Sequence, residues 1–186
     1  MDTRQAPDTE IRRELTGQER IIWTGRPRQG IVTRPSDGFM IPFSLLWGGF
    51  AIFWETGVIK SGAPFFFMLW GIPFVLVGLY IIFGRFLVDA KQREGTFYGL
   101  TDQRVIIVSG LTSRKVKSLN LRTLSDVSLS EKSDRTGTIT FGPTNPMASW
   151  WGGTPWPGVP QAGPSFEMIS DAKRIYEQLR EAQSKA

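Results

Sequence analysis

Carboxylates, lysines, serines and tyrosines are the reactive side chains available to this chain, because its 186 residues include no histidine and no cysteine. The commonest general base and metal ligand are therefore missing, and so are disulfides and thiolate metal sites. Asp102, Asp126, Glu131, Asp134, Glu167 and Asp171 are scattered over turns and strand ends, without acid–base or metal-ligand spacing. Gly57-Val58-Ile59-Lys60-Ser61 ends like a phosphate-binding loop but lacks the GxxxxGK[ST] pattern that would wrap a phosphate. On these grounds the chain is expected not to be an enzyme, and to use no cofactor, metal or small-molecule substrate.

Two groups of residues point to binding instead. Arg26, Arg28 and Arg34 precede a long uncharged block, and Arg85, Lys91 and Arg93 follow it. Cations beside a bilayer attract anionic lipids at about 1 kcal/mol each. The same cations also set helix orientation by the positive-inside rule, which alone accounts for them here. The second group is Trp150, Trp151 and Trp156, in a stretch from Pro143 to Pro164 rich in Gly, Pro and Trp. Such a loop suits the membrane interface, its own domain, or a partner protein. Lys and Arg total 22 against 17 Asp and Glu, a formal charge of +5. No basic stripe is interleaved with aromatics, so nucleic-acid binding is not expected.

The uncharged block dictates where everything else must lie. Ser61–Gly84 carries no charge, and thirteen of its residues from Phe65 onward are Phe, Ile, Leu or Val. At about −0.3 to −0.6 kcal/mol each, these contribute roughly −4 to −8 kcal/mol toward insertion, enough to tolerate Pro73 and the glycines. Gly38–Trp54 is a shorter uncharged segment that becomes a span as the first half of a hairpin, extended past Glu55 through Val58. The helices are expected at about 38–58 and 63–86. Gly48, Gly49, Gly71 and Gly78 offer small surfaces for close packing, within the hairpin in preference to between chains. The Lys/Arg bias puts both termini in the cytoplasm and the Glu55–Gly62 connector outside.

After Arg93 the texture becomes β. Thr96–Thr101 and Arg104–Ser109 are β-branched and aromatic runs split by Asp102-Gln103, and Lys115–Leu121, Asp126–Glu131, Thr138–Phe141 and Phe166–Ile169 are further short strands. With Glu19–Gly25 upstream of the hairpin the count is seven. The later runs alternate, as expected of antiparallel strands packed on one side. Ser170 or Asp171 is expected to cap a closing helix with Ala172, Ile175, Tyr176 and Leu179 on one face.

The order of these parts resembles the bacterial pleckstrin-homology-like membrane proteins. The residues that carry it are Glu19…Trp23-x-Gly25-x-Pro27, a membrane hairpin, Tyr98-x-Leu100-Thr101-Asp102-x-Arg104-Val105-Ile106-Ile107, Gly137-Thr138-Ile139, Phe166-x-Met168-Ile169 and the C-terminal helix. The resemblance spans Leu15 to about Ala182. It implies a mainly β fold: a PH-like, seven-stranded, strongly bent antiparallel sheet capped by the helix Asp171–Gln183, with the transmembrane hairpin inserted between strands 1 and 2. On that reading residues 1–14 are a mobile N-terminal segment, 15–37 plus 89–184 form a discontinuous cytoplasmic domain, and 38–88 form the hairpin. The implied function is a membrane-anchored binding or assembly module at the inner membrane, taking a protein partner or a second copy. The alternative is an anionic-lipid head-group-binding domain, although lipid-binding relatives use the loop between the first two strands, which the hairpin replaces here.

Overall fold

The structure is a computed structural model that describes residues 7–33, 37–111, 113–142 and 163–186. Its β-rich part is built on the hairpin of β2 (Phe97–Thr101) and β3 (Arg104–Ser109), which the two-residue turn Asp102-Gln103 closes. β1 (Ile21–Gly25) pairs antiparallel with β2, and β4 (Lys115–Asn120) with β3, giving a four-stranded sheet in the order β1-β2-β3-β4. Beyond a 3-10 turn at Leu121–Thr123, β5 (Val127–Glu131), β6 (Gly137–Phe141) and β7 (Ser165–Ile169) form a three-stranded antiparallel sheet.

Among the described residues the strands thus number seven, but they lie in two sheets and not in one bent sheet. A local turn marks the break. Asn120 accepts a hydrogen bond from the Arg122 backbone N–H, turning the chain into the 3-10 segment before β5 starts. At the opposite corner the Arg28 N–H donates to the Met168 carbonyl, so the chain just after β1 meets the end of β7.

The main core lies between the sheets and under the C-terminal helix α5, which here runs from Ala172 to Lys185. Phe166 is its centre, with ring centroids 4.8 Å from Tyr98, 5.0 Å from Phe141 and 5.4 Å from Trp23. Ile175 and Leu179 of α5 are fully buried, while Tyr176 sits half-buried at the rim. Gln183 donates to the Leu121 and Leu124 carbonyls and ties the helix to the sheet break. Asp171 occupies the N-cap position in the left-handed region (φ 50°), and its side chain makes no cap hydrogen bond.

A second core lies on the outer face of the four-stranded sheet. The sequence suggested a mobile segment for residues 1–14, yet Pro7–Arg12 forms a short helix, α1, whose Ile11 is fully buried against Phe97, Ile106 and Val108. Gly99 makes room for it, because a Cβ there would lie 2.6 Å from Ile11 Cγ2. With both faces covered, β2 and the centre of β3 are buried throughout, which is why they read as continuous apolar runs without alternation.

Between β1 and β2 in chain order stand the two long helices. α2 spans Asp37–Lys60; α3 spans Phe65–Leu79 and continues through a π turn at Tyr80–Gly84 into α4, Arg85–Glu94. Both helical rods are long and apolar enough to cross a membrane. At 1.5 Å per residue the 24 residues of α2 measure about 36 Å. The helices touch where Gly48 faces Gly78, since a Cβ on Gly78 would stand 3.0 Å from the Gly48 Cα. Gly71 leaves space for the Glu55 carboxylate and the Trp54 ring, whereas Gly49 faces open space. Lys91 and Arg93, placed by sequence after the helix, are inside its extension.

Candidate functional site at the hairpin junction

Two of the residues singled out by sequence, Arg28 and Arg93, meet where α4 joins the sheets, and Arg93 organises the contact. Arg93 is buried at the end of α4. Its guanidinium donates to the Arg28 carbonyl at 2.7 Å and the Gly30 carbonyl at 2.8 Å, and pairs with Asp89 one turn earlier at 2.8 Å. Gln29 completes the clasp by donating to the Pro27 carbonyl and, from the same amide, to the Arg93 carbonyl. Gly30 adopts φ 85°, a backbone state that a β-carbon disfavours, and this turns its carbonyl within reach. Because Arg28 also donates its N–H to Met168, the clasp connects α4 to the chain after β1 and to β7 at once.

Arg85 serves a different contact. It marks the end of the apolar stretch and pairs with Asp37 at 2.8 Å, joining α4 to the first turn of α2. Both side chains are at least nine-tenths buried, and the Phe86 ring centroid lies 4.4 Å from the guanidinium. Such a buried pair is dear to break from one side, because the abandoned charge has no solvent to fall back on.

The remaining cations stay at the surface. Arg26 lies over the Phe97 ring at 5.4 Å, Arg28 comes only within 3.8 Å of exposed Asp134, and exposed Lys91 pairs with Glu94 at 3.0 Å. Exposed pairs of this kind contribute little. Arg34, Trp150, Trp151 and Trp156 lie outside the described residues. The structure therefore brings Arg28 and Arg93 together as a structural clasp and gives Arg85 to a helix–helix pair.

Sequence reasoning missed the most heavily bonded charge in the β part. Glu19 has a fully buried side chain that accepts from Arg104 Nε and Nη2, both at 2.9 Å, and from Thr101 Oγ1 at 2.7 Å. Burial acts to raise the Glu19 pKa, but hydrogen bonds from Arg104, Thr101 and the Thr16 backbone, with the charge of Arg104, pull it down to about 2. Arg104 is shifted upward in turn by its hydrogen bond to Glu19. Arg104 also donates to the Glu14 carbonyl, and Arg114 pairs with Glu10 and Glu14, so the α1 segment is held to the sheet by charge as well as by Ile11. The Leu-Thr-Asp-x-Arg spacing was the available signal, because Thr101 Oγ1 accepts from the Gln103 and Arg104 N–H groups and thereby closes the turn.

The candidate acids do not converge. Asp102 accepts from the Arg20 N–H, Asp134 closes the β5–β6 turn through Thr136, and Asp126, Glu131 and Asp171 are exposed. Among the described residues no group of three or more Asp and Glu is placed to hold a metal ion. Two open grooves flank α5. One, of about 560 Å³, is lined by Asp126, Ser128, Gly142, Tyr176 and Arg180. The other, of about 680 Å³, is lined by Ile22, Gln103, Asn120, Arg122 and Lys185. Both have mixed polar and apolar linings and hold no reactive cluster.

A family model described as bacterial PH domain matches residues 47–183, which takes in the second half of α2 and everything from α3 to α5. No curated protein and no solved structure matches the chain.

Proposed function

The chain belongs to the bacterial PH domain family, and from that premise we propose that it is a membrane-anchored binding and assembly module at the cytoplasmic face of the inner membrane. One observation carries this reading: the long helices keep their large apolar side chains on the outside. Phe39 is 72% exposed, Leu46 74%, Phe53 77% and Phe65 75%, while the residues facing inward at the crossing are glycines. Apolar surface on that scale needs a cover, and a bilayer matches the length of the helices. The cations Arg26, Arg28, Arg85, Lys91 and Arg93 lie at the end of the hairpin that carries the sheets, and their side supports cytoplasmic termini.

On this reading the body built from residues 15–37 and 89–184 is tied to the hairpin (38–88) by two connections, and the Arg93 clasp stiffens the joint. A rigid joint presents the sheet edges and the α5 grooves at a set height and orientation, which serves a protein partner or a second copy. The lipid-head-group reading is the weaker one, because Arg93 and Arg85 spend their charge on Asp89 and Asp37. Alkaline extraction of membranes tests the anchor: the chain is expected in the pellet, and release to the supernatant overturns it. Purification in mild detergent tests the rest. A stoichiometric protein partner or a homo-oligomer supports the module, whereas a monomer carrying a defined anionic lipid favours the lipid reading.

A further inference from the structure

We infer that β5 is a self-complementary edge through which two copies of this chain join their three-stranded sheets into one continuous sheet. This rests on the assembly reading above and names its partner as a second copy.

The argument begins with hydrogen-bond parity. The Gly142 N–H donates to the Asp126 carbonyl and the Lys132 N–H to the Thr136 carbonyl, which puts the even-numbered residues of β5 in hydrogen-bonded pairs with β6. In an antiparallel ladder such pairs alternate, so the N–H and C=O groups of Val127, Leu129 and Glu131 point away from β6. β5 is an outer strand, in the order β5-β6-β7, and these groups have no partner among the described residues. A second β5 laid antiparallel with Leu129 opposite Leu129 sets Val127 opposite Glu131. In that register alone, all three residues exchange hydrogen bonds with the other copy.

The side chains agree with the register. Ser128 falls opposite Ser130, a pair that sheets accept readily. Asp126 falls opposite Lys132, and the two-fold symmetry makes that opposite-charge pair twice. All four of these residues are exposed and project on the side away from half-buried Val127 and Leu129, so pairing disturbs no core contact. The strand is also lightly guarded: Val127–Glu131 has no lysine, proline or bulge and a single charge, Glu131, at its end, whereas the free edge of β4 carries exposed Lys115 and Lys117.

The test uses the full chain in detergent. Sedimentation is expected to show a dimer. D126K sets lysines opposite each other and is expected to raise the dissociation constant about tenfold or more; K132D added to D126K is expected to restore it. The chain has no cysteine, so a differently tagged S128C chain mixed with an S130C chain is expected to form a disulfide on oxidation, and S128C mixed with S184C is not. Circular dichroism monitors folding of each variant. A monomer throughout, a dimer indifferent to D126K, or no Ser128–Ser130 cross-link overturns the proposal. A monomer that co-purifies with a different stoichiometric protein overturns the β5 dimer but leaves the binding-module reading standing. Release on alkaline extraction removes the anchor and leaves the dimer test in force.

Discussion

The two sheets of this protein were finished differently. The four-stranded sheet is covered on both faces at β2 and β3, by the main core and by α1, and its β2–β3 turn is locked by a buried carboxylate that engages Arg104 and Thr101. The three-stranded sheet has one packed face, clean alternation in β6 and, in β5, an outer strand without lysine, proline or bulge. The comparison separates residues that build the scaffold from residues free to meet another surface. The Glu19–Arg104 charge of the first sheet is internal and structural, with Lys115 and Lys117 displayed only on its β4 edge; in the second sheet the charge is displayed.

The contrast is broken most severely at Arg104. Arg104→Ala leaves the Glu19 carboxylate buried without its cation and is expected to cost about 3–5 kcal/mol, read as a fall in the denaturation midpoint in detergent. A midpoint within error of wild type would show that the network is not what holds this sheet. Next comes Ile11→Ala, which empties the seat over Gly99. It should cost about 2–4 kcal/mol and speed amide exchange in β2 and β3 while leaving β5–β7 unchanged.

Acid gives a third, graded test. The folded Glu19 pKa of about 2 lies below its ordinary value of 4.5, so the stabilisation is complete above pH 4.5 and is lost as pH falls toward 2. The expected loss is up to about 3 kcal/mol. Unfolding midpoints measured from pH 6 to pH 2.5 should decline for wild type and decline less for Glu19→Gln. Parallel curves would assign the acid sensitivity elsewhere. The smallest effect is expected in the other sheet: Ser128→Lys with Ser130→Lys should change the stability of a single chain by no more than about 0.5 kcal/mol, since both positions are exposed.

Much of the fold was legible along the chain because its signals are local. Arg104-Val105-Ile106-Ile107-Val108 reads as a buried strand from β-branching alone, and Ala172, Ile175 and Leu179 read as a helix face from their spacing. The junction was harder. Arg93 looks like any other cation flanking an apolar stretch. Its role as a clasp depends on carbonyls more than sixty residues earlier, and backbone carbonyls leave no mark in composition. The seat of α1 was hidden for a similar reason: so short a helix is held by its packing, and the slot that receives Ile11 is made by a distant glycine.

By itself, then, the sequence determined the two long apolar helices, the number of strands, the closing helix and the absence of histidine and cysteine chemistry, since each depends on residue type or short-range period. Tertiary structure alone decided that the strands divide into two sheets, that Glu19 and Arg104 meet across 85 positions, and that Arg93 faces inward to bind carbonyls. Those outcomes depend on which distant groups meet once water is excluded. A buried charge is stable only opposite a partner, and only the folded chain supplies one.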